Sequence, residues 1–390
     1  MYQIIVVGGG FAGLWSAVGA ARRLDTLGIG ADRVGITLIN RDAWHGIRVR
    51  NYESDLSELR VPLNSVLEPV GIRLIEGEVL DVDPNARYVA VKTSDGQRDM
   101  NYDRLVLAAG SRVNLPEIPG LAMHAMNIDT FDEAERLYRH LRALSLRAPT
   151  DGRDTVLVIG AGLTGIEAAC HMPQRLKAAG IDTGRVILAD RLPHIGSDMG
   201  EHARPVIDQA LNSLGVESRT AIEISGIDDC GITLADGERI AAQTVVWCAG
   251  MIANPLAACF PGDRDRSGRL PVDEFMKVRG LDDVFAAGDI AAAMMDNEHT
   301  TVMSCQHARP MGRFAGHNAV SDLLGEEQLQ FLNPVYTTCL DLGPAGAVRT
   351  KGWNRSVYET GAEAKETKQS INCVRIYPPE SGDRSEILAA

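Results

Sequence analysis

One short pattern occurs twice in this chain, and the repetition restricts the fold more than any other feature. An apolar run, QIIVV at 3–7, leads into a glycine-rich turn at 8–13 and then an Ala- and Leu-rich helix over 12–24. The same order returns at 155–175, where TVLVI precedes GAGLTG and IEAACHMPQRL, with Gly160 standing 152 residues after Gly8. A short apolar run bounded by glycine fits a strand buried on both faces, as in a parallel sheet covered by helices. Each copy has a second landmark downstream, LVLAAG at 105–110 and VVWCAG at 245–250, and a further strand and turn, VFAAGD, follows at 284–289. The chain therefore reads as an α/β protein with two doubly wound domains.

Its 390 residues suit two or three lobes at roughly 150 residues each. Pro- and Gly-containing polar stretches at 114–120 and 252–271 mark the crossings between them. The expected organisation is a discontinuous first domain, 1–117 with 251–330, a second domain inserted at 118–250, and a small C-terminal α+β lobe over 331–390. That lobe shows short β-prone stretches, a polar helix at about 362–370, a Pro-Pro pair at 378–379 and a charged tail, SGDRSE, expected to fray. No amphipathic, basic or aromatic-rich helix is expected to close the chain.

Composition excludes several partners. Acidic residues outnumber basic ones 52 to 39, so phosphate backbones and anionic lipid are repelled; no nucleic-acid partner and no stable membrane association are expected. Residues 1–21 carry no charge and are long enough to suggest a membrane span, but Gly8, Gly9 and Gly10 would break a spanning helix, and a buried strand, turn and helix fit better. Seven cysteines, an odd number without a C-x-x-C pair, suit a reducing compartment, and a cytoplasmic location is the expectation.

Gly8-x-Gly10-x-x-Gly13, between strand and helix, has the spacing of a dinucleotide-binding turn. The first glycine permits the tight turn, the second lets the backbone approach a pyrophosphate, and the third lets helix and strand pack closely. Asn40, with Arg41 after it, ends the next apolar run, GITLIN, where a ribose-binding acid normally stands; the amide can bond a ribose hydroxyl or merely end the strand. Gly160-x-Gly162-x-x-Gly165 is followed by Asp190 at the end of RVILAD, which favours NADH, while Arg191 beside it leaves NADPH open. Glu167, placed in the first turn of the second helix, is either an acid stabilised by the helix dipole or a carboxylate beside a bound nicotinamide. Gly288 and Asp289 would set backbone amides by a pyrophosphate and a carboxylate by a flavin's ribityl hydroxyls. The turns at Ala109, Gly110 and Gly250 count among the cofactor-contacting positions.

Both fingerprints, both Ala-Gly strands and VFAAGD together resemble the two-dinucleotide flavoprotein superfamily that contains glutathione reductase, ferredoxin reductases and type II NADH dehydrogenases. The resemblance spans about residues 1–330, and ITLINRDAWHG (36–46), TVVWCAG (244–250) and VFAAGD are most similar to type II NADH dehydrogenases. It implies two Rossmann-like domains, FAD on the first fingerprint, NADH on the second, and hydride transfer between them. Residues 40–60 hold no Cys, so the redox pair of the disulfide reductases is missing, and Cys170, Cys305 and Cys339 show no reactive pairing. The quinone-site motif Ala-Gln-x-x-x-Gln of type II NADH dehydrogenases is matched only in part by Cys305-Gln306-His307-Ala308-Arg309-Pro310: Gln306 is kept and Pro310 replaces the second Gln. The family's membrane-docking C-terminal helices have no counterpart.

The expected activity is an FAD-dependent NADH oxidoreductase without a redox disulfide, with Glu167 and Gln306 as catalytic candidates, no metal, and a quinone-like small molecule as acceptor. His307 and Arg309 are candidates for polar contacts to that acceptor or solvated helix residues. Two rivals are a reductase of a small carrier protein such as rubredoxin or ferredoxin, and a non-catalytic NADH sensor. A homodimer is compatible with the sequence.

Overall fold

Buried apolar strands need helices on both faces, and the chain supplies them twice. A computed structural model describes residues 1–390. Its first sheet is parallel and five-stranded, in the order Val284–Ala286, Arg104–Leu107, Tyr2–Val7, Val34–Asn40, Arg73–Glu76. The second is parallel and four-stranded, in the order Thr244–Trp247, Thr155–Ile159, Arg185–Ala189, Val216–Arg219. Strand for strand it repeats the first sheet with the outer Val284–Ala286 strand missing.

The helices after the two glycine turns are α1 (Phe11–Thr26) and α2 (Leu163–Ala178). The uncharged N-terminal segment is thus a strand and a helix, and no helix is long and apolar enough to cross a membrane. α1 packs on α3 (Cys305–Leu324) through small residues. A Cβ on Gly316 would lie 1.9 Å from the Ser16 carbonyl oxygen, and one on Gly312 would lie 2.2 Å from that of Ala12. Such backbone proximity leaves room for nothing larger than hydrogen at those positions.

Two features had no counterpart in the sequence reading. Between its third and fourth parallel strands each lobe carries a three-stranded antiparallel sheet, over 78–101 in the first and 224–241 in the second. The two segments crossing between the lobes also pair with each other, Ser111–Val113 antiparallel to Met251–Ala253.

The C-terminal residues form a three-stranded antiparallel sheet, Thr337–Asp341, Ala347–Lys351 and Ser356–Thr360, followed by α4 (Gly361–Ser370). The expected fraying of SGDRSE is corrected. Arg384–Ala389 is a helix, α5, capped by the Asp383 carboxylate, with Ile387 and Leu388 buried. The Arg22 Nε on α1 donates to the Leu388 carbonyl at 2.5 Å, and Arg313 on α3 donates to that of Ala390 at 2.6 Å. A closing helix therefore exists, held by apolar burial and by arginines from both helices of the first lobe.

Candidate active site between two glycine turns

The two turns are built alike. Gly8 and Gly160 have φ of +105° and +100°, values that favour glycine, and a Cβ on either would strike the backbone of the neighbouring Ala-Gly strand end. A Cβ on Gly13 or Gly165 would lie 1.7 Å from the carbonyl oxygen of Gly8 or Gly160 respectively. At Gly10 and Gly162, by contrast, nothing lies within 4 Å of a Cβ, and neither helix has a side-chain cap. Each turn thus presents an open backbone edge and uncapped helix amides, the arrangement a pyrophosphate fits.

Asn40 and Asp190 end corresponding strands and hold the turns from the same side. Asn40 Oδ1 accepts from the Gly9 amide at 2.8 Å, while its Nδ2 donates to the Asp42 and Trp44 carbonyls. Asp190 accepts from the Ala161 amide at 2.5 Å and from that of Leu192 at 2.8 Å. Both side chains brace their own loops, a use of their polar atoms that the sequence reading did not foresee. Arg41 and Arg191 are exposed. Behind the first turn, the buried His45 donates from Nδ1 to the Gly9 carbonyl at 2.8 Å, and burial pushes its pKa down to about 4.

Asn254, four residues past Gly250, holds the first Ala-Gly turn: its amide donates to the Gly110 carbonyl at 2.9 Å and its side chain reaches the Ala109 carbonyl at 3.3 Å. Gly250 accepts from the Asn114 amide at 3.0 Å. Gly288, with φ +77°, opens a short turn, and Asp289 accepts from the Ser111 hydroxyl at 2.6 Å and faces Arg48 at 3.4 Å. Arg48 also pairs with Asp129, an interlobe junction that sequence reasoning missed.

A cavity of about 1880 Å³ lies where the lobes meet. Gly160, Gly162 and Asp190 line it from the second lobe, Cys305 and Gln306 from the start of α3, and Lys368 from the C-terminal lobe. The Gln306 side chain donates to the Val335 carbonyl at 3.2 Å. Of His307 and Arg309, only His307 is excluded as a solvated helix residue. His307 is fully buried against Val302, and Arg309 lines the cavity. Cys248, Cys305 and Cys339 line it as well; burial raises all three thiols, Cys248 to about 12 and Cys339 to about 11, which keeps them protonated near neutrality.

Glu167 is the fifth residue of α2, beyond the first turn where the helix dipole acts, so the dipole reading is corrected. Its carboxylate is buried, paired with Lys368 Nζ at 2.7 Å, and accepts from the Asp341 amide at 3.1 Å. Burial pushes the Glu167 carboxyl up against the pull of Lys368. Asp341 meets His171 at 3.1 Å and Lys365 at 2.5 Å, and these contacts outweigh burial and hold its carboxyl far below the usual range. Lys368 was absent from the sequence reading. Its signal was its place four residues after Ala364, on the buried face of an otherwise polar helix.

The pyridine nucleotide-disulphide oxidoreductase family matches residues 2–312. An NADH dehydrogenase-like protein of Mycobacterium tuberculosis is 52% identical, the match covering 100% of this chain and 98% of the relative. A type II NADH:quinone oxidoreductase of Staphylococcus haemolyticus is 27% identical over 84% of each chain. The solved structure of NDH2 from Plasmodium falciparum in complex with NADH has a TM-score of 0.79 at 13% identity, covering 100% of this chain and 97% of that one, a likeness of fold.

Proposed function

We propose a reaction from one premise: the chain belongs to the pyridine nucleotide-disulphide oxidoreductase family and is an NADH dehydrogenase-like oxidoreductase. In this reading it passes a hydride from NADH to FAD and then the electrons to a quinone-like small molecule. The observation that carries the reading is the shared cavity: the second glycine turn and the start of α3 line the same space, so donor and acceptor can meet inside it. The flavin, when bound, supplies the two-electron relay between them.

The protein's own part is positioning. Gly8, Gly10, Gly13 and the α1 amides receive the FAD pyrophosphate, with the turns at Ala109, Gly110 and Gly288, and Asp289, Asn40 and Arg41, around the rest of the cofactor. Gly160, Gly162, Gly165 and Gly250 do the same for NADH. Asp190 keeps lone pairs for the ribose and disfavours a 2′-phosphate. Glu167, its proton affinity raised by burial, serves as the proton-holding group beside the nicotinamide, and Gln306 offers its amide to the acceptor.

The test is an anaerobic rapid-mixing experiment on protein saturated with FAD. NADH should bleach the flavin, and a panel of quinones, carrier proteins and oxygen then identifies what restores it. Asp190→Ser should shift the efficiency ratio toward NADPH by roughly tenfold, the effect of removing one charge repulsion. A flavin that NADH leaves oxidised overturns the reading, and equal use of both nicotinamides by the unaltered protein overturns the role of Asp190.

A further inference from the structure

Charge is unevenly spread over the cavity wall. Asp190, Asp198 and Glu223 line it on the second lobe with Arg191 among them, and the remaining lining acid, Glu167, is paired with Lys368. Along α3 and the C-terminal segment every lining charge is basic: Arg309, Arg313, Arg355, Lys368 and Arg375. Arg309 and Arg313 stand over the ring of Trp15, their guanidinium carbons 4.9 and 4.6 Å from its centroid. Arg309 Nη1 donates to the Arg375 carbonyl and Arg313 Nη2 to an oxygen of Ala390, the last residue of the sequence, each at 2.6 Å. The Nε atoms of both are buried without a partner, as is Nη2 of Arg22 beside them. Burial lowers both guanidinium pKa values, that of Arg313 to about 10 with Arg309 and Arg22 adding repulsion, yet all stay charged near neutrality.

In a chain of net charge −13, Arg22, Arg309 and Arg313 are half-buried with no Asp or Glu side chain as partner, and a bound anion would relieve the desolvation cost that remains. Gln306, Arg309 and Arg313 follow helical spacing on α3, so the arginines lie roughly 5 to 10 Å along the helix from Gln306. We propose that the electron acceptor carries an anionic substituent, a carboxylate or a phosphate, which Arg309 and Arg313 receive while its ring lies at Gln306 and Arg375 guards the mouth. This rests on the reaction proposed above. The anion does not enter the electron balance: the hydride of NADH and one solvent proton convert quinone to quinol and leave NAD⁺.

The test uses protein saturated with FAD and NADH and two acceptors with the same ring, a naphthoquinone bearing a propionate chain and its methyl ester. The acid should be preferred in kcat/KM by about tenfold or more, the range of a charge-assisted bidentate contact. Raised salt should shrink the preference. Arg309→Gln should remove most of it, and Arg375→Gln, at an exposed position with little risk to folding, should lower it about two- to threefold. A ratio near one in the unaltered protein, or one preserved in both variants, overturns the proposal. Bleaching by NADH is timed separately, so failure of the underlying reaction is seen as a flavin that stays oxidised and failure of the anion site as one that is reduced but reoxidised without charge preference.

Discussion

The two glycine turns are near copies that differ in what stands on their helices. Fifth in α1 is Trp15 and fifth in α2 is Glu167, 152 residues apart like Gly8 and Gly160. Both meet cations contributed from later in the chain, Arg309 and Arg313 over the indole and Lys368 on the carboxylate. An indole face attracts a cation without adding a buried charge of its own, whereas a buried carboxylate needs its partner to remain ionised. The turn geometry is therefore a common frame, and what differs is the residue one turn further on. The strand ends differ in the same spirit: Asn40 both accepts and donates in bracing its loop, while Asp190 only accepts.

The sharpest way to break this comparison is to add one methyl group to each turn. Gly13→Ala and Gly165→Ala each place a Cβ 1.7 Å from a carbonyl oxygen, so each should disable its own turn. Gly13→Ala should yield protein depleted of FAD, and Gly165→Ala yellow protein that NADH no longer bleaches. Flavin absorbance and rapid mixing read both, and the same phenotype from both variants would end the idea of two separately loaded turns.

A smaller effect is expected from removing the cation under the second helix. Lys368→Met leaves Glu167 buried and unpaired and should cost about 3–5 kcal/mol at alkaline pH, less once the carboxyl protonates. Trp15→Phe keeps an aromatic face under Arg309 and Arg313 and should cost about 1–2 kcal/mol. Urea unfolding gives both numbers, and equal costs would show that ion pair and ring are interchangeable.

A further effect separates the turns by pH. His45 braces only the first turn, and its folded pKa of about 4 lies below the ordinary 6.5. The unfolded chain then binds more protons in that interval, so stability is fully present above about 6.5 and falls as acidity approaches 4, by about 3 kcal/mol at most. In His45→Asn the urea midpoint should depend less on pH across this window. An unchanged slope would remove His45 as the cause.

What the sequence determined by itself was local. Glycines at Gly8, Gly13, Gly160 and Gly165, next to apolar runs, specify strand, turn and helix because φ, Cβ clashes and strand burial act over a few neighbouring residues. From these the two-lobed α/β architecture was legible, as were the places where Asn40, Asp190, Asp289 and Gln306 would stand. Only the tertiary structure decided which charges meet. Lys368 reaches Glu167 across 201 positions, Arg309 and Arg313 gather over Trp15, and Arg384–Ala389 becomes a docked helix because Ile387 and Leu388 find a buried surface there. Ion pairing and apolar burial depend on distance in space and on exclusion of water, and neither is encoded in the spacing of one segment; both arise when separate segments pack together.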